Sequence, residues 1–383
     1  MDFEFSDEQR LLKDSVDRLL GPAYDDLGLR KRTQAEPHGY SESLWAKYAE
    51  LGLLALPFSE ADGGFSAGPV ETMIVMEAIG KGLALEPFLA TVILGGNLIR
   101  LGGTEAQRAE LIPHIADGSL RLAFAHVERQ ARYDLNDVGT FAKKTANGYT
   151  LEGDKSVVIH GDSAGKLIVS ARTSGNRRDA HGITLFLVDA NTPGISRRGF
   201  PTQDGQRGAA ISFGSVEVPA DAVLGEVDNA GPLIERVADI AIAALCAEAV
   251  GAMAALHALT LEYLKTRKQF GVPIGSFQAL QHRAVDMFTA LEQARSMEYF
   301  AAMMAEADTR DRRAAISAAK VQVNNSAKFI GQQAVQLHGG IGVTMEYRAG
   351  HYFKRLTMIE TLFGDTEYHL RRIDSAGGLL EAA

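Results

Sequence analysis

The sequence predicts an α+β multidomain chain: an N-terminal helical domain over residues 1–119, a small antiparallel β-barrel or sandwich over 120–227, and a C-terminal four-helix bundle over 228–383. Three observations predict it. A length of 383 residues allows two or three domains. Apolar residues recur with the 3.6-residue helical period in the first and last thirds. Between them lie short β-branched runs separated by turn signals, with no helical period.

In order along the chain, Ser6 followed by Glu8 and Gln9 opens a helix carrying Leu11, Leu12, Val16, Leu19 and Leu20 on one face. Ser41 opens a second, ending at Leu51-Gly52, and the stretches from Val70, Thr91 and Thr104 continue the helical pattern. Strands are expected at Lys155–His160, Leu167–Ser170, Ile183–Val188 and Ile211–Val218. The separating turn signals are Ala146-Asn147-Gly148, Gly153-Asp154, Gly161-Asp162 and Asn191-Thr192-Pro193-Gly194. Helical period returns after Pro232 and persists to Leu337, with breaks near Phe270–Gly275 and Asp308–Arg312. Gly377, Gly378, Ala382 and Ala383 are expected to fray.

A composition of 46% hydrophobic and 23% charged residues excludes a disordered or disulfide-scaffolded chain. Net charge of -9 and a pI near 5.6 argue against nucleic acid or an anionic membrane as partner. The longest apolar stretch, Ala241 to Leu256, is interrupted by Glu248 and is shorter than the ~20 residues that span a bilayer. The acidic start MDFEFSDEQR lacks a signal-peptide pattern, so the expected location is the cytoplasm. The single Cys246, among apolar neighbours, is expected to be buried and inert, and no metal site is expected.

Two segments carry chemistry. The first, from Tyr263 through Arg267, Gln269, Phe270, Gly271, Pro273, Ile274, Ser276 and Phe277 to Gln278, reads as a helix stop at Gly271, a stiffened turn at Pro273 and a new helix capped by Ser276. It places a phosphate-matching guanidinium beside an aromatic stacking face. A plain helical hairpin, with its basic residue complementing the helix dipole, accounts for the same spacing. The second is Gln336-Leu-His338-Gly339-Gly340-Ile-Gly342, whose glycines let a ligand approach main-chain amides. It also reads as helix termination, and since no strand precedes it, it is not a Rossmann fingerprint.

With their order along the chain, these segments resemble the acyl-CoA dehydrogenase family over nearly the whole length. The resemblance implies an FAD-dependent fold, a tetramer built as a dimer of dimers, an acyl-CoA substrate, an electron-transferring flavoprotein as acceptor, and a place in fatty or dicarboxylic acid degradation. It assigns the ADP half of an FAD belonging to a neighbouring subunit to Arg267, Gln269, Phe270, Ile274, Phe277, Gln278, Gln336, His338, Gly339 and Gly340, and makes Thr366 a further cofactor-binding residue. In the family's reaction a carboxylate removes the α-proton of the thioester and the β-hydrogen leaves as hydride.

Elsewhere the chain departs from the family. Phe363-Gly364-Asp365-Thr366 places glycine at the usual base position, and the alternative base position falls on Ala241 or Ile242. Asp365 is the candidate displaced base. Asp239, Glu248, Glu360 and Glu367 are the other nearby carboxylates, the last two read as solvated helix surface. Val127-Glu128-Arg129 stands for the family's Thr-Glu-Pro turn, and Val157 and Ile159 stand for residues that cover the flavin ring, with His160, read as a strand-end surface residue, next to them. Within the family the chain resembles the small, catalytically degenerate subunit of bacterial heteromeric dehydrogenases, such as pimeloyl-CoA dehydrogenase and the steroid side-chain enzymes. That implies a second dehydrogenase subunit as partner. A homotetramer using Asp365 and a catalytically inert scaffold are the alternatives.

Overall fold

The computed structural model describes residues 4–377; Gly378, Ala382 and Ala383, expected to fray, lie outside them. The chain divides into two compact units, one from Met1–Arg32, Pro69–Ala84 and Ile242–Ala383, the other from Thr33–Gly68 and Leu85–Ala241.

The helices of the N-terminal part are α1 (Asp7–Tyr24), α2 (Leu27–Gln34), α3 (Glu42–Glu50), α4 (Pro69–Gly82), α5 (Asn97–Gly102) and α6 (Glu105–Ala116). α1 starts at the expected capping box, in which the Ser6 hydroxyl accepts from the Gln9 amide and the Gln9 side chain accepts from the Ser6 amide. The stretch around Thr91 departs from expectation: Leu89–Gly96 is a π-helix with every residue buried. Its widened turn fits the packing, because Gly95 and Gly96 lie against Leu122 and Phe58 and the Asn97 side chain takes up the Ile93 carbonyl at 2.9 Å.

The strands are β1 (Leu122–Ala125), β2 (Phe141–Lys144), β3 (Gly148–Ile159), β4 (Lys166–Arg172), β5 (Ile183–Asp189), β6 (Ile195–Pro201), β7 (Arg207–Pro219) and β8 (Val223–Leu224). They form one sheet in the order β6-β7-β3-β2-β4-β5-β8, with β1 beside β4. Pairing is antiparallel except where β1 and β2 meet β4. Leu151, Val158, Leu167, Val169, Phe186, Ile211 and Phe213 fill its core. Gly153-Asp154 is not a turn. Gly153, at φ +142° and tight against Thr140, sits where β3 shifts register on β7, so one long bulged strand replaces the expected break.

The C-terminal helices are α7 (Gly231–Thr266), α8 (Gln278–Ala305), α9 (Arg312–His338), α10 (Arg348–Thr361) and α11 (Thr366–Ser375). α7 runs 36 residues and is long and apolar enough to cross a membrane, contrary to the length argument from the sequence. Its most apolar window is 94% buried against protein, which accounts for that composition without a bilayer. Within the first unit α4 and α7 cross at reciprocal glycines: a Cβ on Gly80 would strike the Glu248 carbonyl, and one on Gly251 the Glu77 carbonyl. No side chain fits there, so backbones touch. Beside this crossing the Arg355 guanidinium on α10 donates two hydrogen bonds, at 2.6 and 2.7 Å, to the Glu248 carboxylate. Both residues are buried, and removing either partner leaves an uncompensated charge at a cost of about 3–5 kcal/mol. Cys246 is fully buried, which pushes its thiol up to about 12.

Glu298 on α8 is 2% exposed. Burial, reinforced by the like charge of Glu77, pushes its carboxyl well above the usual range against the weaker pull of Arg295 and Lys13. The folded chain therefore keeps a proton that the unfolded chain releases near pH ~4.5, and this stabilisation fades as pH rises through the folded-state pKa. Replacing the acid by its neutral isostere, Glu298→Gln, is expected to flatten that decline. Thermal unfolding at about pH 6 and about pH 9 measures it, the drop in Tm between them being smaller in the variant than in the wild type.

Candidate functional site

α7 ends at Thr266, not at Gly271. A hairpin follows, β9 (Lys268–Gln269) pairing with β10 (Val272–Pro273) across a two-residue turn. Phe270 (φ +53°) and Gly271 (φ +82°) both adopt the left-handed conformation that such a turn requires. A 3-10 turn, Ile274–Ser276, leads into α8, whose N-cap position is Phe277. Ser276 is not a cap, because its hydroxyl donates to the Pro273 carbonyl at 2.7 Å and is spent inside the turn.

The hairpin pushes its tip outward. Phe270 is 92% exposed and meets Phe277 edge-on at 6.2 Å. Arg267, Gln269 and Gln278 are exposed and Ile274 half-buried. At the end of α9, Gln336 is exposed and His338 buried. Gly339 turns the chain at φ +64°, and a Cβ on Gly339 or Gly340 would meet nothing within 4 Å. The Gly339 amide is spent on the Gln336 and Val335 carbonyls that close α9, so what the segment offers a pyrophosphate group is open space beside the main chain. The two segments meet within one chain: Tyr263, one turn before Arg267, packs on His338 at 4.6 Å, and Tyr347 packs on the same ring at 5.0 Å. His338 Nδ1 lies 2.8 Å from the Ala334 carbonyl, and burial lowers its pKa. The sequence assigns His338 to the cofactor site but gives the two tyrosines that wedge it no role.

Within the second unit, Val127 and Val157 are exposed and Ile159 half-buried. None of the three offers a polar side-chain group. Glu128 points inward. Its carboxylate accepts from Lys155 Nζ at 2.7 Å and from the main-chain amides of Gly139 and Thr140 at 2.8 and 3.0 Å. Burial alone would raise the Glu128 carboxyl, but the Lys155 ammonium and the amide donors outweigh it and hold it near 2. His160 is buried, not superficial. At φ +51° its ring turns inward against Tyr40 and toward the Gln206 side chain, 3.3 Å away, a conformation histidine tolerates better than most residues.

Of the carboxylates near the base positions, Asp365, Glu248 and Glu367 have partners of their own within the chain. Asp365 is the N-cap of α11, its Oδ1 accepting from the Tyr368 amide at 2.8 Å. That role gives the carboxylate, the candidate displaced base, a structural task at the start of α11. Glu248 is bonded to Arg355, and Asp239 is buried. Glu367 is exposed beside Arg371, as expected, whereas Glu360 is half-buried. Ala241 and Ile242 lie fully inside the apolar core. Thr366 opens α11 half-buried, away from the Arg267 hairpin in sequence and at the start of a different helix.

Three family models match the chain: acyl-CoA dehydrogenase N-terminal domain over residues 6–119, middle domain over 123–217 and C-terminal domain over 235–377. The probable acyl-CoA dehydrogenase YngJ of Bacillus subtilis is 30% identical over 387 residues, covering 100% of both chains. Among solved structures, an FAD complex of PigA is 26% identical with a TM-score of 0.90, covering 99% of this chain and 100% of that one. A variant of the Tcur3481–Tcur3483 steroid ACAD is 29% identical with a TM-score of 0.86, covering 96% of this chain and 97% of that one. Fold, open glycine cradle and whole-length similarity agree, and the chain belongs to the acyl-CoA dehydrogenase family.

Proposed function

We propose that this chain is the helper subunit of a heteromeric acyl-CoA dehydrogenase. As a family member it is an oxidoreductase that uses FAD. The observation that carries the finer reading is the glycine at position 364, followed by an Asp365 whose carboxylate is spent on capping α11. A family member in this state binds cofactor but lacks the group that removes the α-proton.

The residues present fit the ADP half of FAD. Arg267 offers a charged fork to phosphate, Phe270 and Phe277 offer stacking faces, and Gly339 and Gly340 leave open space for the phosphates to approach. FAD, when bound, supplies the hydride acceptor. The face of Val127, Val157 and Ile159 gives the ring no side-chain hydrogen bond, so ring contacts and base are assigned to a partner dehydrogenase chain. The assembly is a tetramer of two chains of each kind acting on an acyl-CoA thioester, passing electrons to an electron-transferring flavoprotein, in the cytoplasm. The Tcur3481–Tcur3483 relative, itself named as a pair, supports this reading.

Arg267→Ala is expected to weaken FAD binding by roughly 1.5–3 kcal/mol, the worth of a charge-assisted phosphate contact, and titration of deflavinated protein followed by flavin fluorescence measures it. Turnover tests the division of labour. A catalytic base contributes about 10²–10⁴ in rate, so the chain alone should reduce an acceptor dye with acyl-CoA at least that much more slowly than the coexpressed pair. Equal turnover by the chain alone would sink the reading.

A further inference from the structure

Gly364 is not an open position. Its φ of +124° is one that L side chains rarely adopt, and a Cβ there would run into the Tyr368 ring and stand 2.6 Å from Nε2 of His369. His369, on α11, is fully buried. Its Nδ1 lies 3.1 Å from the Ser317 hydroxyl of α9 and its Nε2 lies 3.2 Å from the Phe363 carbonyl. A carbonyl only accepts, so Nε2 carries the proton and Nδ1 accepts from Ser317. Burial, with the like charges of Lys320 and Arg372, lowers the imidazole to about 3, which keeps this bonding pattern intact through neutral pH. One turn further along α9 the fully buried Lys320 donates to the Ile359 carbonyl, near the end of α10, at 2.5 Å. Both ends of the connection between α10 and α11 are thus anchored to one helix. Phe363 between them is held at φ +58°, a strained value for an aromatic residue.

We propose that His369 plugs the base position: pinned between Ser317 and the Phe363 carbonyl, its imidazole fills the space that a side chain at 364 would enter. The proposal rests on the helper-subunit reading and deepens it. The missing base is then a property of the packing, and a carboxylate restored at 364 has no room while His369 stays in place. His369 and Tyr368 together, not Gly364 alone, commit the chain to its role.

The test is a double-mutant cycle read by thermal unfolding of the full chain. Gly364→Ala is expected to lower Tm, and that loss is expected to be measurably smaller in a His369→Ala background, where the clash with the imidazole is gone and only the positive φ and the Tyr368 ring still oppose the methyl. A residue that merely braces the fold gives losses that add. Additive losses overturn the proposal, and so does a Gly364→Ala chain as stable as the wild type. Should His369→Ala fail to fold, Tyr368→Ala takes its place in the cycle, with the same sign expected and additivity equally fatal. Because stability is the readout, the outcome is separable from the helper-subunit reading, which stands or falls on turnover.

Discussion

The hydrogen bond from the Tyr368 amide to the Asp365 carboxylate fixes where α11 begins, and the chemistry open to this chain depends on that starting point. An N-cap side chain folds back over the first turn of its helix, which directs the Asp365 carboxylate toward the Tyr368 amide. With Asp365 committed, Gly364 becomes the last residue before the cap and takes a conformation reserved for glycine. Tyr368 and His369, one turn into the helix, then lie over it. On the proposed reading, the glycine at 364 and the capping bond of Asp365 together leave this segment without a base.

The rest of the molecule has kept features that cost free energy to maintain. The Glu128–Lys155 pair and the Glu248–Arg355 pair are both buried, and such pairs hold together because hydrogen bonds satisfy the charges that burial strips of water. Glu128 joins the segment after β1 to Gly139 and Thr140, and Glu248 ties α7 to α10 beside the crossing with α4. The Arg267 hairpin is equally well built, with its left-handed turn at Phe270 and Gly271 holding an aromatic ring in solvent. The ring, 92% exposed, meets Phe277 edge-on and keeps a face open to a ligand.

Much of this is legible in the sequence. The 3.6-residue period locates the helices, the β-branched runs locate most of the sheet, and the two motif segments meet in space through Tyr263 and His338. Where the sequence misleads, it does so for physical reasons. Gly271 and Pro273 stop a helix and build a hairpin with equal ease, and only the left-handed Phe270, unusual for an aromatic, separates the two. Gly153-Asp154 carries a turn signal, yet glycine serves a bulge as well as a turn. Asp365 followed by Thr366 and Glu367 is a helix-start signature, which proximity to the family's base position obscures. His160 and His369 depend on contacts with residues far away in the chain, Tyr40 and Ser317, which no local pattern encodes.

The central claim is that cofactor and base are divided between two kinds of chain, and the flavin content of the assembly tests it most directly. Coexpressed with its partner dehydrogenase chain and purified as one complex, the protein should show a flavin-to-chain ratio of about one to two by absorbance and mass, as expected where each FAD lies across an interface that pairs an ADP-binding chain with a ring-binding one. A tetramer of this chain alone that holds one tightly bound FAD per chain and oxidises acyl-CoA at full rate would contradict the account.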